Sequence, residues 1–198
     1  MSEKDKTTKA TAEATGRERT DMELSDTQGM DNRRKIVSSE HLASDGNWPL
    51  SEVEYGMTVV YNAFSQWMVR CANAAGIGEL AVLDILILHN INHRGREKRL
   101  NDIAFMLNII DTHTVNYALK KLLKLELVTG TKRGKEIFYA TSNKGKLACE
   151  EYGRVREQCL LDGLQMLDID QQELAKLAST LRSMSGLYDQ ASRAAASL

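Results

Sequence analysis

The sequence predicts a mainly α fold that carries one short β-hairpin, and three observations support it. Apolar residues recur at spacings of three and four over most of residues 51–193, the period of amphipathic helices. Only over 127–140 does the pattern turn to that of strands, around a glycine. The single proline, Pro49, leaves the later helical patterns uninterrupted. A chain of 198 residues, 42% hydrophobic and 27% charged, has the material for a sizeable core. At roughly 100–200 residues per domain it holds one or two domains.

The exclusions are equally direct. No apolar run approaches the roughly 20 residues that cross a bilayer. The longest, Leu80 to Leu88, is interrupted by Asp84. The N-terminus lacks an apolar signal region, so a cytoplasmic protein without a membrane partner is expected. Three cysteines, Cys71, Cys149 and Cys159, show no C-x-x-C spacing, which argues against a disulfide framework or a cysteine zinc module.

Taken in order, residues 1–47 read as a disordered polar tail, with Arg33-Arg34-Lys35 as its basic triplet. Trp48-Pro49-Leu50-Ser51 opens the structured part, with Ser51 as the expected N-cap. Val53, Met57, Val60, Phe64, Trp67 or Met68, and Cys71 then mark a helix that ends before Gly76-Ile77-Gly78. Glu79 to Asn92 is apolar on most faces, the mark of a buried helix. Leu100 to Leu107 predicts a short helix, Asn108-Ile109-Ile110 a turn, and Asp111 the N-cap of a helix from Thr112 to about Glu126. Two helices joined this tightly have the proportions of a helix-turn-helix. Leu127–Thr131 and Glu136–Ala140 predict a hairpin whose tip is Lys132-Arg133-Gly134-Lys135. Ser142 caps a helix expected to run to about Leu167, and Asp170 caps a last one to about Arg193. The expected divisions are the tail 1–47, a long helix with its turn at 48–78, a helix-turn-helix and hairpin unit at 79–141 and C-terminal helices at 142–198.

Charge is concentrated in the middle. Residues 94–146 hold twelve Lys and Arg against five Asp and Glu, while the whole chain nets −1. A basic block inside an acidic chain suits docking on a polyanion. The expected outer face of the helix after Asp111 places Thr112, His113, Thr114, Asn116 and Tyr117 ahead of Lys120, Lys121 and Lys124. Donors and acceptors at one half and lysines at the other suit a major-groove reader, in which base edges specify and phosphate contacts position. Lys132, Arg133 and Lys135 on the hairpin add further phosphate-seeking groups.

On these residues the chain resembles the MarR family of regulators. Asp111-Thr112-His113-Thr114-Val115-Asn116-Tyr117-Ala118-Leu119-Lys120-Lys121-Leu122, through Leu127-Val128, follows that family's recognition-helix pattern. Thr141-Ser142-Asn143-Lys144-Gly145 resembles its Leu-Thr-x-x-Gly opening of the next helix. The resemblance implies a winged helix-turn-helix DNA-binding domain, with long N- and C-terminal helices forming a dimerisation domain. It further implies a homodimer on double-stranded DNA with a pseudo-palindromic operator. Dimerisation would fall on Ser51–Ala75, Cys149–Leu167 and Asp170–Arg193. The sequence departs from the family twice: Arg133-Gly134-Lys135 stands where the wing usually carries Asp-x-Arg, and Glu126 replaces the usual helix-ending glycine. The wording Gly46 to Gly56 is similar to the branch named for regulating L,D-transpeptidases, which implies control of cell-wall and osmotic-stress genes.

The resemblance also implies a small-molecule effector pocket, for which Tyr61, Phe64, Ser65, Met68, Arg70 and His89 are the candidates. No cofactor or metal is expected: His89 and His93 share a helix face but no carboxylate or cysteine stands at matching spacing. Cys149 and Cys159 are too far apart along one helix to bridge within the chain; inert thiols are expected, with redox sensing through Cys71 or Cys159 as the other reading. No phosphate loop, nucleophile elbow or carboxylate pair points to an enzyme. A non-regulatory alternative is a winged-helix protein-interaction module whose basic block meets an acidic partner.

Overall fold

The computed structural model describes residues 41, 48–164, 166 and 169–198. The expected tail, with its Arg33-Arg34-Lys35 triplet, lies outside the described residues apart from His41. The chain divides into two compact units, Met1–Asn62 and Ala63–Leu198.

In the first unit the described structure is the opening of α1 (Trp48–Ala74). Pro49 falls in its first turn, where a missing N–H costs nothing, so the helix starts ahead of Ser51 and that residue is not its N-cap. Val53, Val59, Val60 and Tyr61 are exposed along this stretch.

The second unit is built around α2 (Val82–Asn92), whose Ile85, Ile87, Leu88 and Ile91 are at most 1% exposed. This helix starts three residues later than its apolar pattern suggested. Gly76 turns the chain at φ 78°, and Asp84 accepts a hydrogen bond from the Ala81 N–H at 2.8 Å to fix the first turn. A 3-10 turn, His93–Gly95, ends it. Lys98 then donates to the Asn90 carbonyl, which satisfies an open end of α2.

Next come β1 (Lys98–Arg99), α3 (Leu100–Met106) and α4 (Thr112–Lys124). Asn108 takes a left-handed φ of 53° in the tight turn between the helices. Asp111 caps α4 by accepting from the His113 N–H at 2.9 Å. Val115, Ala118, Leu119 and Leu122 turn inward, as their spacing predicts. α4 ends at Lys124 rather than Glu126, because Glu126 itself adopts φ 61°, the left-handed conformation a glycine would supply.

β2 (Val128–Arg133) and β3 (Glu136–Thr141) are longer than expected. Their register pairs Arg133 with Glu136, so the tip shrinks from four residues to Gly134-Lys135, with Gly134 at φ 62°. β1 adds a third strand, giving the antiparallel order β1-β3-β2. Its two residues are too short to show as an alternating pattern.

Ser142 caps α5 (Asn143–Arg156): its Oγ accepts from the Gly145 N–H at 2.9 Å and donates to the Glu126 carbonyl at 2.6 Å. Gly145 is required here, because a Cβ would collide with the Leu127 carbonyl oxygen. α5 does not run unbroken to Leu167; a π-helical turn, Glu157–Leu161, interrupts the α geometry, and one further turn, Asp162–Leu164, follows. In α6 (Gln171–Ala195), Asp170 and Glu173 bond each other's backbone N–H, a reciprocal cap. Leu177, Leu181 and Leu187 on α6 are exposed.

Candidate nucleic-acid interface

α4 is held on three sides. Its apolar face packs into the core with α2, Asp111 fixes its start, and Lys121 Nζ reaches Asp84 at 2.8 Å. Outside, Thr112, His113, Thr114 and Tyr117 are exposed and Asn116 is half-buried. The Thr114 hydroxyl donates to the Asp111 carbonyl at 2.7 Å, which uses its one donor and leaves it as an acceptor. Lys120 and Lys124 are exposed and carry no ion pair among the described residues.

The structure separates cations that the sequence groups together. Lys121 was expected to hold phosphate, yet it pairs with Asp84, a carboxylate only 6% exposed. A buried carboxylate needs that partner, so Lys121 serves the fold before any ligand. Arg99 is gripped by Asp102 at 2.9 Å and Glu136 at 3.1 Å. The guanidinium holds the Asp102 carboxyl below its usual range. Lys98 closes α2, and burial lowers its pKa. Lys144 donates to the Leu125 carbonyl at 2.9 Å, at the end of α4. On the wing, Arg133 pairs with Glu97 at 2.7 Å and lies 4.9 Å from the centre of the Phe138 ring. Lys132 and Lys135 are exposed without an ion pair among the described residues.

A cleft of about 290 Å³ runs between α4 and the wing, lined by Arg99, Asn101, Asn116, Lys135, Glu136 and Tyr139 among others. Sequence reasoning missed Asn101, because nothing in a lone asparagine on a short helix signals its place beside the wing.

Among the candidate effector residues of the second unit, Ser65 and Arg70 share a cleft that Phe64, Met68 and His89 do not line. Tyr61 and Phe64 are exposed, Met68 is buried in the core, and His89 lies edge-on to Tyr152 with ring centres 4.5 Å apart. Ser65 and Arg70 share a separate cleft with Gln66, Val69, Asn73 and Val82. Burial lowers the His89 pKa, and its Nε2 has no hydrogen-bond partner. Cys71 and Cys149 are buried, and burial pushes both thiols up, Cys149 to about 11; Cys159 is exposed. No group of three or more metal-ligating side chains occurs among the described residues. No helix among them is long and apolar enough to cross a membrane.

A family model described as a winged helix DNA-binding domain matches residues 80–145, the span from just ahead of α2 to Gly145. No curated protein matches the chain significantly. Among solved structures, the chain is similar to a Staphylococcus aureus MarR in complex with salicylate and kanamycin, at 14% identity over 75% of this chain and 97% of that one, with a TM-score of 0.57. A MarR transcriptional regulator from Methanosarcina mazei Go1 is similar at 14% identity, 69% and 90% coverage and a TM-score of 0.56. Streptococcus pneumoniae FabT in complex with DNA follows at 12% identity, 70% and 96% coverage and a TM-score of 0.52. Winged helix, flanking long helices and three-stranded wing together give this chain the mainly α fold of MarR-family regulators.

Proposed function

We propose that this chain is a homodimeric transcriptional regulator that binds a pseudo-palindromic DNA operator. The observation that carries the reading is the outer face of α4. It offers polar groups at its N-terminal half and unpaired lysines at Lys120 and Lys124, on a helix fixed rigidly from beneath. Such a helix fits the major groove, with its first turns at base edges and its later charges at phosphates. His113, Thr114, Asn116 and Tyr117 read bases, with Thr112 beside them, and Lys120, Lys124 and the wing lysines hold phosphate. The similarity in fold to a protein solved in complex with DNA supports DNA as the ligand.

The winged unit, residues 79–141, does the reading. The flanking helices, 48–78 and 142–198, join two copies, and the exposed leucines of α6 supply apolar surface for that contact. Two-fold symmetry then sets recognition helices about 34 Å apart, one turn of DNA. A small effector that prefers a dimer with a different helix spacing weakens DNA binding by its differential affinity for the two states. The cleft that holds Ser65 and Arg70 is the favoured place for it, and the arginine suits an acidic ligand. The wording of Gly46 to Gly56 supports assignment to the L,D-transpeptidase regulator branch and so to cell-wall and osmotic-stress genes.

Selection of bound duplexes from a random pool tests this reading. Enrichment of an inverted repeat with half-sites about ten base pairs apart is expected. A bound pool no different from the input would overturn it.

A further inference from the structure

Another cleft, of about 270 Å³, opens where three segments of the second unit meet. The loop after α1 supplies Gly76 to Leu80, the turn after α4 supplies Leu125 and Leu127, and the first turn of α5 supplies Lys144. It shares no lining residue with the cleft beside the wing or with the one at Ser65 and Arg70. Its volume is below the roughly 300–1,000 Å³ of sites for drug-sized ligands, so it suits a small molecule.

The lining is apolar where it is buried and charged where it is exposed. Leu80 and Leu127 are 3% and 1% exposed and form the floor, with Ile77 and Leu125 half-buried beside them. Gly76 and Gly78 put no side chain into the space, so the loop borders it largely with backbone. Two exposed groups of opposite charge, Glu79 and Lys144, complete the lining. The Glu79 carboxylate has no ion pair among the described residues. Lys144 Nζ is anchored by the Leu125 carbonyl at 2.9 Å and stands 3.9 Å from the exposed Glu126 carboxylate, a long and solvated pair. An ammonium carries three donors, so the bond to Leu125 leaves others for a ligand.

We propose that this cleft binds a free α-amino acid with an apolar side chain. Glu79 accepts from its ammonium, Lys144 donates to its carboxylate, and Leu80 and Leu127 receive its side chain. One anion, one cation and an apolar floor complement the three parts of such a molecule together. An aliphatic acid would set its carboxylate near Glu79 with no ammonium between them, and an aliphatic amine would leave Lys144 unmatched. None of the residues assigned to DNA lines the cleft, so the inference stands apart from the DNA-binding reading.

The test is isothermal titration calorimetry of the full-length protein with L-leucine and three analogues. Glycine lacks the side chain, 3-methylbutylamine the carboxylate and 4-methylpentanoate the ammonium. L-Leucine should saturate one site per protomer, and each analogue should bind at least about tenfold more weakly. Glu79→Gln and Lys144→Gln should each weaken L-leucine about tenfold, the loss of one charge-assisted hydrogen bond. Both positions are exposed, and circular dichroism confirms that each variant is folded. Glu79→Gln breaks no ion pair of the fold, so it reads the ligand contact alone. Arg70→Gln, in the other cleft, should bind as the wild type does. An L-leucine titration without saturable binding would overturn the proposal. So would binding that Glu79→Gln and Lys144→Gln leave unchanged, or that Arg70→Gln abolishes, since the ligand then sits elsewhere. 4-Methylpentanoate or 3-methylbutylamine binding as tightly as L-leucine would overturn the amino acid as the ligand class.

Discussion

At the scale of single residues, two positions carry more of the structure than their chemistry suggests. Gly145 sits where a side chain would strike the Leu127 carbonyl, at the point where α5 meets the start of the wing. The Leu127 backbone and the Thr141 methyl leave little room to relax, so Gly145→Ala should destabilise the protein by about 2–3 kcal/mol. Urea unfolding followed by circular dichroism measures that loss, and an unchanged midpoint would refute the close approach. Lys121 is the second. Its removal leaves the Asp84 carboxylate buried with only the Ala81 N–H as partner. Lys121→Ala should therefore cost about 1–3 kcal/mol of stability, whereas Lys124→Ala, at an exposed and unpaired position, should change stability by no more than about 0.5 kcal/mol. The same comparison shows where sequence reading stops. The glycine was legible as part of a pattern, and its cause is steric. The lysine was grouped with its neighbours because charge counting registers sign and spacing but not the carboxylate, thirty-seven positions away in the chain, that claims it.

At the scale of elements, the helices and the hairpin were legible because each carries its own signal. α4 shows a 3.6-residue period behind an Asp cap, α6 a capping pair, and the wing a glycine turn between two strand patterns. What escaped was non-local or left-handed. β1 exists by pairing with β3, and α4 ends where Glu126 takes a conformation its residue type does not advertise. The π-helical turn after α5 has no sequence marker either. The contact between α2 and α5 makes its own prediction. His89 is half-buried, edge-on to Tyr152, and desolvation lowers its pKa below the ordinary value of 6.5. In the unfolded chain it binds a proton more readily than in the fold. Its contribution is thus complete above pH 6.5 and is lost as pH falls through the unfolded value toward the lowered one. Thermal unfolding across that range should show a falling Tm, and His89→Leu should flatten the fall. An identical pH profile in both proteins would contradict the assignment.

At the scale of the whole molecule, the proposed assembly rests on the exposed leucines of α6. A helix that buries none of its leucines in its own chain gains stability by burying them in a second copy, about 25 cal/mol for each Å² removed from water. The double variant Leu177→Asp, Leu181→Asp should sediment as a monomer at concentrations where the wild type is a dimer, with its helical content kept. A variant that stays dimeric would place the contact elsewhere. The proposed dimer in turn bears on the proposed DNA binding, because two recognition helices on one duplex would multiply the contacts each makes. The most direct test of the account is fluorescence anisotropy with the intact protein. It compares random duplex with duplex from around its own gene, each at two salt concentrations. The account predicts tighter binding to the second duplex, and on both a loss of affinity as salt rises. Equal affinity for the two duplexes would contradict sequence-specific regulation and leave a basic coating surface. No binding to either would turn the basic block toward an acidic protein partner.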